Sequence, residues 1–325
     1  MAGVALARDL AVVEDKPVLE DRYPERRVSF ADGVVGIPDA TYARLPGFRP
    51  LTLDLYLPKT AARQGNTQRF PLVVAIHGGG WVGGHARHAG AFGNWPAVLA
   101  SLAARGYVVA SLNYRLSGEA PSPAAIHDVK TAIRWLRAHA DRYGIDKTRV
   151  ATFGGSAGGQ LSALAAVSCG VAELAPPDRA LPAELAAESD CVQAAVTWYG
   201  IFDFRPLVAA AAAHAGAQGP AIQYLGCQPA SCPEQNIRLA SPVLYVGPET
   251  PPMLLIHGSA DRTASPDQSR GMYAALQKQG VKSELIMIPD VDHSFIGTTP
   301  EATRTASLRA LQASIDFLDA TVGRK

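Results

Sequence analysis

Strand-sized apolar runs recur along this chain with helix-patterned segments between them. That alternation constrains its fold more than any other feature. Leu72-Val73-Val74-Ala75-Ile76 is apolar throughout, the pattern of a strand buried on both faces. Tyr107–Leu112, Val150–Phe153, Val192–Tyr199, Met253–His257 and Glu284–Ile288 repeat the type, whereas Leu51–Leu57 alternates apolar and polar as a half-buried strand does. The intervening helices carry end signals. Ser122-Pro123 reads as an N-cap followed by a first-turn proline. Ile126, Val129, Ile133, Leu136 and Tyr143 then share a face, and Gly144 stops the run. Ser265-Pro266-Asp267-Gln268 has capping-box spacing, turns Met272 and Leu276 inward and ends at Gly280. The last helix opens at Thr299-Pro300-Glu301 and carries Leu308, Leu311, Ile315, Leu318 and Val322 at helical spacing. The expectation is an α/β chain with a mostly parallel central sheet flanked by helices on both faces.

A chain of 325 residues can bury a sizeable core. The expected organisation is a single domain over 1–325, with 1–50 as an N-terminal extension packed over the core. The Ala/Pro-rich stretches at approximately 170–190 and 205–235 read as loop or cap insertions. A net charge of +1 leaves no basic excess to neutralise phosphates, which argues against a nucleic-acid partner or a membrane-surface role. No apolar run has the length of a transmembrane segment. Ala5-Leu6-Ala7 resembles the small-x-small end of a signal peptide, without the basic and apolar regions that precede a complete one. Four cysteines are present, Cys169, Cys191, Cys227 and Cys232. They form no C-x-x-C and have no histidine at ligand spacing, so no metal site is expected. Cys227 and Cys232 bracket a short loop, while Cys169 follows one predicted helix and Cys191 precedes a strand. Both pairs are bridgeable, and bridging favours a periplasmic or secreted protein over a cytoplasmic one.

In open α/β sheets ligands bind beyond the carboxyl ends of the strands, and chemistry-bearing residues collect there. Gly154-Gly155-Ser156-Ala157-Gly158 is a G-x-S-x-G between a strand and a helix, the context of a nucleophile elbow. Side chains at 154 and 158 would collide with flanking backbone, so the glycines let the chain reverse with the Ser156 hydroxyl exposed. A G-x-S-x-G also arises by chance in Gly-rich chains, so the other strand ends decide. His77-Gly78-Gly79-Gly80-Trp81 follows strand 72–76. Its glycines let backbone N–H groups turn toward a developing oxyanion, and Gly79, Gly80 and Ala157 are the expected donors. His77 reads as a brace for that loop. A serine hydroxyl needs a base, and His293, after strand 284–288, is the candidate, with His257 as competitor. Asp261, after strand 253–257, is the expected partner of the imidazole, with Asp203 as competitor. The chain order Ser156, Asp261, His293 is the α/β-hydrolase order. Trp81, Trp95, Trp198, Phe202 and Phe204 could shape a pocket, with Trp81 and Phe202 the leading candidates for substrate binding.

His77-Gly78-Gly79-Gly80-Trp81, Asn113-Tyr114-Arg115-Leu116, Phe153–Gly159 and Asp292-His293-Ser294-Phe295 together resemble the α/β-hydrolase esterases of the hormone-sensitive-lipase type. Trp81, the Asp128-Val129-Lys130…Arg134-Trp135-Leu136 helix and Ala240-Ser241-Pro242-Val243 are more similar to the bacterial feruloyl-esterase-like branch. The resemblance covers roughly residues 50–320. It implies a serine carboxylic-ester hydrolase acting through an acyl-enzyme on small aliphatic or aryl, feruloyl-like, esters, with no metal or organic cofactor and a small-molecule ester as its partner. The two cysteine pairs and residues 1–50 depart from that pattern. The other readings are a peptidase or amidase of the same fold, and a non-catalytic binding module on it.

Overall fold

A computed structural model describes residues 25–63, 65, 67–177, 181–213 and 219–323. Ala5-Leu6-Ala7 lies outside the described residues. Among the described residues nine strands form one sheet in the order β1-β2-β3-β5-β4-β6-β7-β8-β9. They are β1 Val28–Ser29, β2 Val35–Ala43, β3 Leu51–Leu57, β4 Phe70–Ile76, β5 Val108–Leu112, β6 Ile145–Gly155, β7 Ala194–Trp198, β8 Met253–Gly258 and β9 Ser283–Ile288. The pairs from β1 to β5 are antiparallel, and the six strands from β5 across to β9 are parallel. Helices are α1 Trp95–Ala104, α2 Ala124–Ala138, α3 Ala140–Tyr143, α4 Ala157–Val167, α5 Ala183–Ala186, α6 Arg205–Ala213, α7 Pro220–Leu225, α8 Glu234–Ala240, α9 Asp267–Lys278 and α10 Pro300–Thr321. One apolar layer packs Leu72, Val74 and Ala195 of the sheet with Ile126, Leu161, Leu164, Met272 and Leu276 of α2, α4 and α9. The other packs Val73, Phe153 and Val196 with Leu99, Leu102, Ile315 and Leu318 of α1 and α10. The chain is therefore an α/β-hydrolase fold, its sheet buried on both faces as the apolar runs require.

Four local expectations change. Residues 35–43 are a sheet strand rather than part of an extension over the core. Pro38 and two breaks in the β2–β3 register hide the period-2 pattern there. Helix α2 starts at Ala124 with Pro123 at its cap position, so Ser122 is not the cap. The Gln268 side chain does not return to Ser265. It accepts from Phe202 N at 2.7 Å and Asp203 N at 2.8 Å, pinning the loop after β7. Leu308 is 44% exposed, because the inward stripe of α10 runs through Ala306, Ala310, Ser314 and Leu318. Thr299 does cap α10, its side chain accepting from Ala302 N.

The insertions at 170–190 and 205–235 carry short helices; one cysteine pair brackets the first and the other lies within the second. Cys169 is bonded to Cys191 and Cys227 to Cys232. Helix α2 holds the first of these loops as well. Lys130, fully buried, donates to the Ser168 carbonyl at 2.7 Å, and Arg134 pairs with Asp190 at 2.6 Å. Arg137 donates to the carbonyls of Ser189 and Cys191. These cations lose hydration on burial and are tolerable there only because each finds carbonyl or carboxylate oxygens.

Register sets the site. Ile76 pairs with Gly154, Gly155 with Trp198, Trp198 with Ile256, and Gly258 with Ile288. The carboxyl ends of β4, β6, β7, β8 and β9 thus finish on one level. The crossover direction reverses between β4 and β6, which opens the crevice where such sheets bind ligands.

Candidate active site

Strand β6 ends at Gly155 and helix α4 begins at Ala157. Ser156 alone turns the chain, at φ 56° and ψ −123°. A residue with a side chain pays roughly 1–3 kcal/mol in that region. The surroundings enforce it by leaving no room for relaxation. A Cβ at Gly154 would stand 2.4 Å from the Gly158 carbonyl oxygen, and one at Gly158 would stand 2.0 Å from that of Ile76. Ser156 N donates to the Trp198 carbonyl at 2.8 Å, tying the turn to β7. Tyr199 at φ 38° and Ser294 at φ 62°, which line the same cleft, also hold positive φ.

His293 Nε2 is 2.9 Å from Ser156 Oγ, and His293 Nδ1 is 2.8 Å from Asp261 Oδ2. The three side chains that the sequence singled out, 137 and 32 residues apart along the chain, form one hydrogen-bonded row. Asp261 is buried. Burial raises its pKa, but hydrogen bonds from His257, His293 and the Ala264 backbone outweigh that and hold the carboxyl well below the usual range. It therefore stays ionised across the neutral and mildly acidic range. Thr263 N and Ala264 N donate to Oδ1 at 2.9 and 2.8 Å. The competing acid, Asp203, is paired with Arg205 at 2.6 Å. The competing base, His257, is buried behind Asp261.

Asp292 has a role that the sequence did not suggest. Its Oδ1 accepts from His293 N at 2.7 Å and Arg262 N at 2.9 Å, while Oδ2 pairs with the Arg262 guanidinium at 2.6 Å. It thereby fastens the loop carrying His293 to the loop carrying Asp261. The Tyr199 ring packs edge-on against the His293 ring, with centroids 4.7 Å apart, and limits its rotation.

The glycine loop after β4 is closed by Val82 N and Gly83 N donating to the Gly79 carbonyl. Gly79 at φ +115° and Gly80 at φ +61° make this possible, and a Cβ at Gly79 would stand 2.2 Å from the Gly83 oxygen. The N–H groups of Gly79, Gly80 and Ala157 have no acceptor among the described residues. For Ala157 this follows from its place at the first turn of α4. His77 stacks on Tyr114 with centroids 4.3 Å apart, and its Nδ1 is 2.7 Å from the Gly78 carbonyl oxygen. Burial pushes its pKa down to about 4, so it is neutral near pH 7 and braces the loop.

A cavity of about 430 Å³ opens onto Ser156, Gly79, Gly80 and His293. Its aromatic wall is Trp95, Phe153, Trp198 and Tyr199, with His88 and Thr263 also lining it. Trp81 and Phe202, the leading substrate-binding candidates, line no part of it, and neither does Phe204. A buried indole needs an acceptor for its N–H, and Trp81 finds Gln160 Oε1 at 3.0 Å while stacking on Tyr224. Phe202 is fully buried beneath Gly200, where a Cβ would stand 2.6 Å from its ring. Both residues pack the cores under the site. Tyr199 was hidden because it directly continues a strand pattern, and Phe153 because it lies within one.

Residues 53–276 match the BD-FAE family, and the chain belongs to it. The probable carboxylic ester hydrolase LipM of Mycobacterium tuberculosis is 33% identical over 227 residues, 69% of this chain and 49% of LipM. The chain thus spans about half of that relative's length. A truncated carbohydrate esterase from gut microbiota superposes with a TM-score of 0.70 at 27% identity, over 90% of this chain and 98% of that one. Thermogutta terrifontis esterase 2 phosphorylated by paraoxon superposes with a TM-score of 0.64 at 25% identity, over 86% and 92% of the two chains.

Proposed function

We propose that this protein is a serine carboxylesterase working through an acyl-enzyme, with Ser156 as nucleophile, His293 as base, Asp261 as its acid partner, and Gly79, Gly80 and Ala157 as oxyanion donors. The observation that carries the reading is the hydrogen-bonded row Ser156–His293–Asp261 at the mouth of an aromatic cavity. The Ser156 oxygen attacks the ester carbonyl carbon as its proton passes to His293 Nε2. Asp261 holds the Nδ1–H tautomer and stabilises the imidazolium. The carbonyl oxygen becomes the oxyanion beside the unpartnered N–H groups, each such donor being worth about 3 kcal/mol of barrier. The ester C–O bond then breaks, and the leaving alcohol takes the proton from His293. Water repeats the sequence on the acyl-enzyme, releasing the carboxylic acid and restoring Ser156.

The aromatic wall of the cavity suits a short aliphatic or an aryl acyl group, and the carbohydrate esterase relative favours a sugar as the alcohol part. All of this is carried by a single catalytic domain in our reading. The two disulfides are consistent with an oxidising, extracytoplasmic compartment. The test compares Ser156→Ala with the parent protein on p-nitrophenyl esters of increasing acyl length and on a methyl hydroxycinnamate. Loss of turnover of at least about 10³-fold is expected. Retention of parent activity refutes the reading, and faster turnover of matched amides than of esters assigns the site to a peptidase or amidase.

A further inference from the structure

The Asp261 carboxylate lies between two Ser–His pairs, of which the proposed mechanism uses one. On the open side His293 Nδ1 reaches Oδ2 at 2.8 Å, with Ser156 Oγ 2.9 Å from His293 Nε2. On the sealed side His257 Nε2 reaches the same oxygen at 3.1 Å, and Ser269 Oγ is 2.7 Å from His257 Nδ1. His257 is 0% exposed and Ser269 1%, so neither meets an ester. His257 Nε2 also lies 2.9 Å from the Ala264 carbonyl oxygen. A ring nitrogen facing two acceptors carries the hydrogen. Nδ1 is then left to accept, and the Ser269 hydroxyl is the donor beside it. The row therefore reads Ser269 to His257 to Asp261 from behind, and Ser156 to His293 to Asp261 from the front.

We infer that His257 and Ser269 are positioning residues for the acid. The rear pair fixes the His257 tautomer, the His257 N–H holds Oδ2 on line with His293, and it shares the charge that Oδ2 offers to the His293 imidazolium. The inference rests on the assignment of Asp261 and His293 made above. Other groups do not supply this function. Thr263 N and Ala264 N occupy Oδ1. The ionisable groups facing the carboxylate are His257, His293 and the Tyr199 phenol. Arg262 and Asp292 are paired with each other at the rim, and His88 lines the cleft.

Without the rear donor, Oδ2 gives all its charge to His293, the imidazolium gains stability, and more of the base is protonated at a given acidic pH. The acid limb of kcat/KM must move to higher pH. The experiment measures pH–rate profiles for His257→Met, His257→Gln and Ser269→Ala, normalised to active sites counted with paraoxon so that misfolded protein drops out. His257→Met removes the donor, whereas His257→Gln keeps an N–H at the reach of Nε2. The expected result is an acid limb raised by about half a unit or more in His257→Met. Its kcat per active site falls by about ten- to a hundredfold, the weight of a hydrogen bond to a charged group, at nearly constant KM. His257→Gln stays close to the parent and Ser269→Ala falls between. A His257→Met protein with lower thermal stability but the parent's limb and per-site kcat overturns the inference, as do equal limbs in the Met and Gln variants. Asp261→Asn is the control on the underlying assignment: if it turns over at the parent rate, that assignment fails first.

Discussion

Ser156 and Asp261 stand at the ends of β6 and β8, yet they are held in place by opposite means. Around Ser156 the geometry comes from what is missing. Gly154, Gly158 and Gly78 let carbonyl oxygens approach to distances that no added Cβ would tolerate. Around Asp261 it comes from what is present: two histidines, two backbone N–H groups, Ser269 and the Arg262–Asp292 pair. A steric fold-back of this kind has no partial form, because a carbonyl cannot yield to a methyl by small steps. A hydrogen-bonded carboxylate has several supports and loses them one at a time. Substitutions on the serine side should therefore act as breaks, and those on the acid side should act in grades.

A break is expected of Gly158→Ala, whose Cβ would meet the Ile76 oxygen at 2.0 Å. Displacing the elbow by about 1 Å costs on the order of 10²-fold in kcat/KM or more. A measured loss under tenfold would dissolve the contrast between the two sides. Asp261→Asn removes the charge while keeping the shape, and a fall in kcat on the order of 10³- to 10⁴-fold at unchanged fold is expected, because the imidazole loses its tautomer. Circular dichroism together with single-turnover kinetics checks both parts.

The glycine loop after β4 supplies a pH test. His77 is neutral in the folded chain down to about 4, whereas in the unfolded chain it binds a proton at its ordinary value, 6.5. Its contribution to stability is thus complete above pH 6.5, declines as pH falls toward 4, and levels off below that. The decline amounts to roughly 3 kcal/mol at most. Denaturant unfolding across that range should show it, and His77→Gln should flatten the slope. His127, lowered to about 4 by burial as well, leaves a residual slope. The smallest effect expected is that of Arg262→Ala. Its side chain is 87% exposed and Asp292 keeps its bond to His293 N, so kcat/KM should fall less than about fivefold.

The same contrast explains what the sequence made legible. The sheet could be read because parallel strands buried on both faces are written as unbroken apolar runs, and the elbow because collisions at positions 154 and 158 demand glycine. That Asp261 and His293 meet beside Ser156 could be expected from their places after β8 and β9 and from chain order. Strand β2 could not, since Pro38 and its bulges erase the alternation that marks a strand. The cavity wall could not either. Aromatic residues near strand and helix ends look alike in sequence whether they face a cleft or a core, and only packing separates Trp95 and Trp198 from Trp81 and Phe202. Gln268 shows the limit of a local rule. Its spacing from Ser265 matches a capping box, but two unsatisfied N–H groups on the loop after β7 claim its side chain instead. The rear Ser269–His257 pair was invisible for a similar reason, as a strand-end histidine and a helix serine meet only once the sheet is assembled.

The central claim is that Ser156 is the nucleophile that the row behind it activates. The most direct measurement is peptide mass spectrometry after stoichiometric paraoxon treatment of the intact protein, beside the Asp261→Asn variant. One diethyl phosphoryl group is expected on Ser156 in the parent protein, with labelling strongly slowed in the variant. A label on another residue, or on Ser156 at the same rate in both proteins, would contradict it.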